Sequence, residues 1–254
     1  MNPRLGIIDW GIGGISIYKL IKEKLGDVPI TYFSDTGVMA YGKMTRRELV
    51  SRLNDVINFL KSQGVTQLVI GCNAASTVID LIDSDGIRIN GMIESGIASA
   101  MKLKPARLGL IGGRRTVLSG VYRRAFATHN LKIEQRIAQP LSGLIESGDV
   151  SSKRLRKEAE RVLSPVKNCS HILLACTHYP AIADLLKEFV SEKTVLIDPS
   201  YELVKGVGKV KPGINGADIF LTSGDPIKMK RAAQNAFGVA ITTATNISIE
   251  SRFG

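Results

Sequence analysis

Cysteine and histidine are scarce in this chain, with three of each in 254 residues. An odd set of cysteines, Cys72, Cys169 and Cys176, in a chain this long argues against a disulfide framework, so free thiols are expected. None of the three has zinc-like ligand spacing, and His129, His171 and His178 form no paired metal motif. No metal is expected, and only a site assembled from distant parts of the chain is left open. Long hydrophobic runs are lacking too. The longest weakly charged stretch, "VTQLVIGCNAASTVI", is broken by Thr, Gln, Asn and Ser, whereas a membrane helix needs roughly 20 apolar residues. Only "LGII" precedes Asp9, short of the ~7–15 apolar residues of a signal-peptide core. No membrane span is expected, and the expected location is the cytoplasm.

Acidic residues are outnumbered, 23 against 34 basic ones, for a formal net charge of +11. Such a surplus suits polyanions. Here the basic residues fall in separate stretches, "TRREL", "GGRRT", "YRRAF" and "SSKRLRKEAER", without interleaved aromatics or a recognisable binding module. Nucleic acid is therefore not expected as the main partner, and the last stretch reads as a solvated helix face.

What the chain does have is alternation. Short apolar runs recur at "RLGIID", "ITYFSD", "QLVIGC", "RINGMI", "RLGLIG", "HILLAC" and "TVLID". Between them lie segments of helical spacing, such as "TRRELVSRLNDVINFLKSQG", where Leu49, Leu53, Val56, Ile57 and Leu60 share a face, Thr45 is an N-cap and Gly64 closes the helix. The pattern predicts an α/β protein with parallel sheets. It also repeats: "LGII" from Leu5 returns as "LGLI" from Leu108, and "LVIGCNAAS" around Cys72 returns as "ILLACTHYP" around Cys176, at nearly equal offsets. This suggests a duplicated unit.

In such a unit each of these cysteines sits where a buried strand ends and a helix begins, the place where α/β folds bind ligands. A helix N-terminus there should lower a thiol from about 8.5 towards neutrality. Cys169, in "VKNCSH", reads instead as a small core residue.

The motifs "IDWGIGGIS", "YFSDTGVMAYGKMT", "IGCNAAST", "IGGRRTVLSGVY", "LIESG", "LACTHYP", "LIDPS" and "IFLTSGDP" span nearly the whole chain. In these the sequence resembles cofactor-independent glutamate racemases of the aspartate/glutamate racemase superfamily. The resemblance implies two similar αβ domains with mainly parallel sheets, related by a pseudo-twofold, with the active site in the cleft between them. The first would comprise 1–93 and 206–254, and the second, inserted, 94–205. It further implies no cofactor and a two-cysteine reaction, in which one thiolate removes the substrate's α-proton and the other thiol returns a proton to the opposite face. Asp9 would assist Cys72 and His178 would assist Cys176, with Glu146 a further acidic group of the site. Tyr41, Gly42, Asn73, Thr116 and Thr177 would bind the substrate, an amino acid or related carboxylate; a homodimer is left open.

Ordinary roles stand beside these: Asp9 or Thr116 as a helix N-cap, Glu146 as a surface residue, His178 as a packed side chain. Three positions depart from the family pattern. Trp10 replaces the usual serine, Ala74 the usual threonine and Ala40 the usual proline, so two substrate-facing hydroxyls are lost and a shift in specificity is expected. Alternatives are a superfamily isomerase acting on another carboxylate or a hydantoin-like substrate, and a catalytically silent binding protein. The run at Gly11, Gly13 and Gly14 reads as a backbone turn that brings Asp9 to the cleft, because no Lys-Ser/Thr signature accompanies it.

Overall fold

The computed structural model describes residues 4–208 and 216–250; residues 1–3, 209–215 and 251–254, which the first expected domain includes, lie outside the described residues. In chain order come β1 (Arg4–Asp9), α1 (Ile15–Leu25), β2 (Ile30–Ser34), α2 (Arg46–Ser62), β3 (Val65–Ile70), α3 (Asn73–Ser76), β4 (Arg88–Gly91) and α4 (Met92–Leu103). The next stretch carries β5 (Leu108–Gly112), α5 (Arg114–Ser119), α6 (Val121–Ala127), β6 (Ile133–Ile137), α7 (Gln139–Glu146), α8 (Lys153–Leu163), β7 (His171–Ala175), α9 (Ala183–Lys187), β8 (Val195–Ile197) and α10 (Ser200–Val207). Then follow β9 (Ile219–Thr222), α11 (Pro226–Phe237) and β10 (Thr245–Asn246).

Among the described residues the strands form two sheets, in the orders β10-β9-β2-β1-β3-β4 and β6-β5-β7-β8. Every pairing is parallel. The order β2-β1-β3-β4 recurs as β6-β5-β7-β8, so the short sequence repeat is the visible part of a repeated topology. Strands of the first sheet come from both sides of the second in the chain. All seven apolar runs form strands. The reading missed β6, whose "IEQRI" is half-buried on a sheet edge, and the short β9 and β10. Strands β6 and β10 are at sheet edges, where one flank meets solvent and the apolar signal is weaker, whereas β9 lies between β10 and β2 and is only four residues long.

Buried parallel strands are apolar on both faces. Leu5 and Ile7 of β1 enter one cluster with Ile17, Ile21 and Met229, whereas Ile8 enters another with Leu49, Leu53, Val56, Ile57 and Leu60 of α2. In the second sheet Leu108 and Leu110 of β5 pack towards Tyr122 and Phe126, and Ile111 packs towards Leu141, Leu155 and Leu163. Helix α10 follows the last strand of the second sheet, yet Leu203, Val204 and Val207 join the core beneath β1. Cys169 lies in the second core, as expected.

Helix α2 starts as its sequence dictates. Thr45 accepts from the Glu48 N–H, the Glu48 side chain accepts from the Thr45 N–H, and Gly64 follows the helix at φ +83°. Helix α8 shows solvent a basic face and buries Leu155, Ala159, Val162 and Leu163. Among the described residues no helix is long and apolar enough to cross a membrane. Truncation of fully buried Leu53 to alanine is expected to destabilise the protein by about 2–5 kcal/mol; a loss under about 1 kcal/mol in denaturant unfolding would mean that this core is not packed as described.

Candidate active site

In each sheet the chain leaves a central strand for one neighbour and crosses back to the other, which makes a switch point between β1 and β3 and another between β5 and β7. Ligands bind in α/β folds at the carboxyl ends of such strands. Asp9 ends β1, and Cys72 lies two residues beyond β3. Gly113 follows β5, and Cys176 follows β7. Both switch points contribute to the wall of one cavity of about 280 Å³. Cys72 and Cys176 both line it, with Asp9, Trp10, Tyr41, Gly42, Asn73, Ala74, Thr116, Thr177 and His178.

Glu146 is absent from that wall and stands behind His178. Its Oε2 accepts from His178 Nε2 at 2.6 Å and from the Ile12 N–H at 2.9 Å. The other ring nitrogen, Nδ1, lies 3.6 Å from Cys176 Sγ. Asp9 is no N-cap, since Gly14 holds that place at α1. Its carboxylate accepts from the Gly11 N–H at 3.2 Å and from the Thr177 hydroxyl at 2.9 Å. Thr116 lies inside α5, which Gly113 caps, and is buried against the cavity.

These contacts answer for the glycines. A Cβ on Gly11 would stand 2.0 Å from Glu146 Oε2, and one on Gly13 would stand 2.4 Å from Thr177 Oγ1 and 2.8 Å from His178 Nδ1. The loop after β1 is thus bare so that residues of the second sheet can approach its backbone. Tyr32 adds a bond from its hydroxyl to the Gly11 carbonyl at 2.7 Å.

The loop of residues 35–44 forms another wall. Asp35 is fully buried and receives Arg52 through Nε at 2.8 Å and Nη2 at 2.6 Å, with the Tyr41 and Ser223 hydroxyls each at 2.7 Å. Tyr41 therefore lines the cavity with its hydroxyl already engaged. Trp10 gives its only donor, Nε1–H, to the Val38 carbonyl at 3.2 Å. Together with Ala40 and Ala74 it makes that side of the cavity apolar.

Asn73 is 3 % exposed. Its Oδ1 faces the Tyr122 hydroxyl at 2.9 Å, while its Nδ2 has no partner. An unpaired buried amide in a cavity wall is a donor held ready for a ligand.

The electrostatics overturn one expectation. Cys72 does not gain a lowered thiol: burial first, then the charges of Asp9 and Cys176, raise it far above its ordinary range. The N–H groups of Ala74 and Ala75 act the other way but are outweighed, because α3 is a four-residue turn with little dipole to offer. Burial also raises Asp9, against the lowering effects of His178, the Gly11 N–H and Thr177. At His178 burial disfavours the imidazolium, but the bonds to Cys176 and Glu146 outweigh it and raise the group well above its ordinary value.

Several wall residues escaped the sequence reading, among them Lys43, Gln139 and Ser142. Ser142 Oγ lies 3.3 Å from Cys176 Sγ. It stands one turn before Glu146 on α7, so the helical period from a residue already singled out would have found it. Among the described residues no group of three or more His, Cys, Asp or Glu side chains converges as a metal site.

The Asp/Glu/Hydantoin racemase family profile matches residues 5–206. The chain belongs to this family. It is 31% identical over 208 residues to the glutamate racemase of Desulforudis audaxviator, covering 79% of this chain and 76% of that one. Among solved structures, glutamate racemase from Francisella tularensis in complex with D-glutamate superposes with a TM-score of 0.88 at 24% identity, over 98% of this chain and 99% of that one. Glutamate racemase from Thermus thermophilus in complex with beta-chloro-D-alanine gives 0.87 at 25% identity over 98% of each chain. The α/β fold with two parallel sheets is thus that of the family.

Two predictions follow from this geometry. Gly13→Ala should lower turnover about 100-fold or more by displacing Thr177 and His178; steady-state kinetics with retained turnover would show that the loop can yield. The His178 proton gives a pH signature. The folded state keeps that proton above pH 6.5, where the unfolded state has lost it, so the stabilisation is full below 6.5 and fades as pH rises towards the raised folded value. Relative to His178→Asn, the protein should lose stability by up to about 1.4 kcal/mol per pH unit through that window. A flat or rising difference in denaturant unfolding between pH 6 and 9 would contradict the assignment.

Proposed function

We propose that this protein is a cofactor-independent amino-acid racemase of the glutamate-racemase type, an isomerase that inverts the α-carbon of a carboxylate-bearing amino acid. The observation that carries the reading is the presence of Cys72 and Cys176, one from each sheet, in the wall of one cavity. Inversion needs a base on one face of the α-carbon and an acid on the other, and two thiols at opposed switch points meet that need.

In the resting site Cys72 carries its proton, held there by burial and by Asp9. Cys176 faces the Nδ1 of His178, which can pass a proton to the sulfur or hold one beside it. In one direction Cys176 removes the α-proton and Cys72 delivers its own to the other face; in the reverse direction the roles exchange. His178 serves Cys176 and Asp9 serves Cys72, while Glu146 positions and charges the imidazole without touching the substrate. The α-carbon is a weaker acid than a thiol, so the carbanion must be stabilised by fixed donors. Asn73 Nδ2, Thr177, Thr116 and the Tyr41–Gly42 turn are assigned to holding the carboxylate and amino groups. The domain division at 1–93 with 206–254 and at 94–205 belongs to the same proposal, as does action on a free small molecule.

Glutamate is the first substrate to test. The apolar wall of Trp10, Ala40 and Ala74 favours a second reading for specificity alone, the same chemistry on a carboxylate other than glutamate. Incubation in deuterated water with single-enantiomer amino acids, without pyridoxal phosphate, should show α-proton loss by NMR together with loss of optical rotation. Cys72→Ser and Cys176→Ser should each abolish racemisation and leave exchange with opposite enantiomers. Full racemisation by either variant would refute the two-cysteine assignment.

A further inference from the structure

Arg115, in the first turn of α5, reaches across the cleft to the first sheet's half at two points. Its Nε donates to Thr77 Oγ1 at 3.0 Å, and its Nη1 donates to the Met44 carbonyl at 2.7 Å. Thr77 closes the turn that begins at Cys72, and its own hydroxyl donates to the Ala74 carbonyl at 2.7 Å. Met44 ends the loop whose residues Ala40, Tyr41, Gly42 and Lys43 line the cavity. One planar guanidinium therefore spans the Cys72 turn and the substrate loop and ties both to the second sheet's half.

Nothing in local electrostatics favours a cation there. The first turn of a helix repels positive charge. Burial and the nearby Arg46 disfavour the charged form, and the one group that could favour it, a thiolate at Cys72, is protonated in the resting site. Among the described residues no carboxylate pairs with Arg115. What offsets these costs is the pair of hydrogen bonds across the cleft, made by a rigid fork that lysine cannot reproduce.

We propose that Arg115 is a positioning residue, a latch that holds the Cys72 turn and the 40–44 loop against the second half so that the Cys72 face of the substrate stays in register for proton transfer. It stands outside the cavity wall and acts through Thr77 and Met44. The inference rests on the two-cysteine reading above. On the opposite side Glu146 and Thr177 already bind the loop after β1, so loss of the latch should loosen the Cys72 face and leave the Cys176 face in place.

The test uses the full chain with Arg115→Ala, Arg115→Lys and Thr77→Val. In Arg115→Ala, amide hydrogen exchange should quicken in residues 40–46 and 72–77 and stay unchanged in β5 and β7. The ratio kcat/KM should fall about 10- to 100-fold, with Arg115→Lys and Thr77→Val in between. The primary deuterium isotope effect should rise for the α-deuterated enantiomer that Cys72 deprotonates, because that step becomes more limiting, and fall for the other. The enantiomer is identified by which exchange Cys72→Ser loses. Unchanged amide exchange in the two segments, or isotope effects that move equally for both enantiomers, would overturn the latch. Should Arg115→Ala fail to fold, Thr77→Val and Arg115→Lys decide by the same readouts. A wild-type protein that exchanges no amino acid defeats the two-cysteine reading, and amide exchange then decides whether Arg115 still ties the two segments.

Discussion

The carboxylate of Glu146 receives the Ile12 N–H from the first half and the His178 imidazole from its own half, and the rest of the site depends on that junction. Beside it the Thr177 hydroxyl crosses to Asp9. Together these bonds press the strand-end loop of one sheet against the strand-end loop of the other, and in doing so they set the orientation of the imidazole beside Cys176. A side chain at Gly11 or Gly13 would occupy the space where the carboxylate, hydroxyl and imidazole lie. The glycine-rich loop after β1 therefore serves protein packing, with the Gly11 and Ile12 N–H groups engaged by Asp9 and Glu146.

The frame is duplicated but its chemistry is not. Both cysteines follow the strand next to a switch point, in sheets whose strand orders match. Around Cys72 burial and an acidic neighbour oppose ionisation; beside Cys176 stands an imidazole whose positive charge Glu146 supports. Groups of the same kind in contrasting environments are the usual way for a fold to hold an acid and a base ready together. A second contrast concerns anchoring. The Cys176 side is held by bonds within and beside the central junction, whereas the 35–44 loop on the Cys72 side hangs on the buried Asp35–Arg52 pair, the Trp10–Val38 bond and Arg115. Removing one partner of such a buried ion pair typically costs about 3–5 kcal/mol, which makes Asp35–Arg52 a determinant of loop position as well as of stability.

Much of the architecture was legible in residue order. Continuous apolar runs forecast the buried parallel strands, the spacing of Leu49, Leu53, Val56, Ile57 and Leu60 forecast α2, and Thr45 and Gly64 marked its ends. Cys169 differs from its two fellows in preceding an apolar run, "HILLA", where they follow one, and it lies in the core. Less was visible at edges and in side-chain details. The mixed "IEQRI" of β6 did not announce a strand. The engaged hydroxyl of Tyr41, the nearness of Ser142 to Cys176, the reach of Arg115 and the raised thiol of Cys72 followed no local rule.

Local order alone determined the alternating α/β pattern, the repeated unit and the residue types at each strand end, because burial periodicity and turn chemistry act over a few neighbouring positions. Tertiary structure decided which of those residues meet. Thr177 reaches Asp9 and Glu146 reaches Ile12 across separations of 168 and 134 positions. Such pairings arise only when two independently patterned sheets dock in one relative orientation, and burial within that docked interface sets the charge states that composition leaves undetermined.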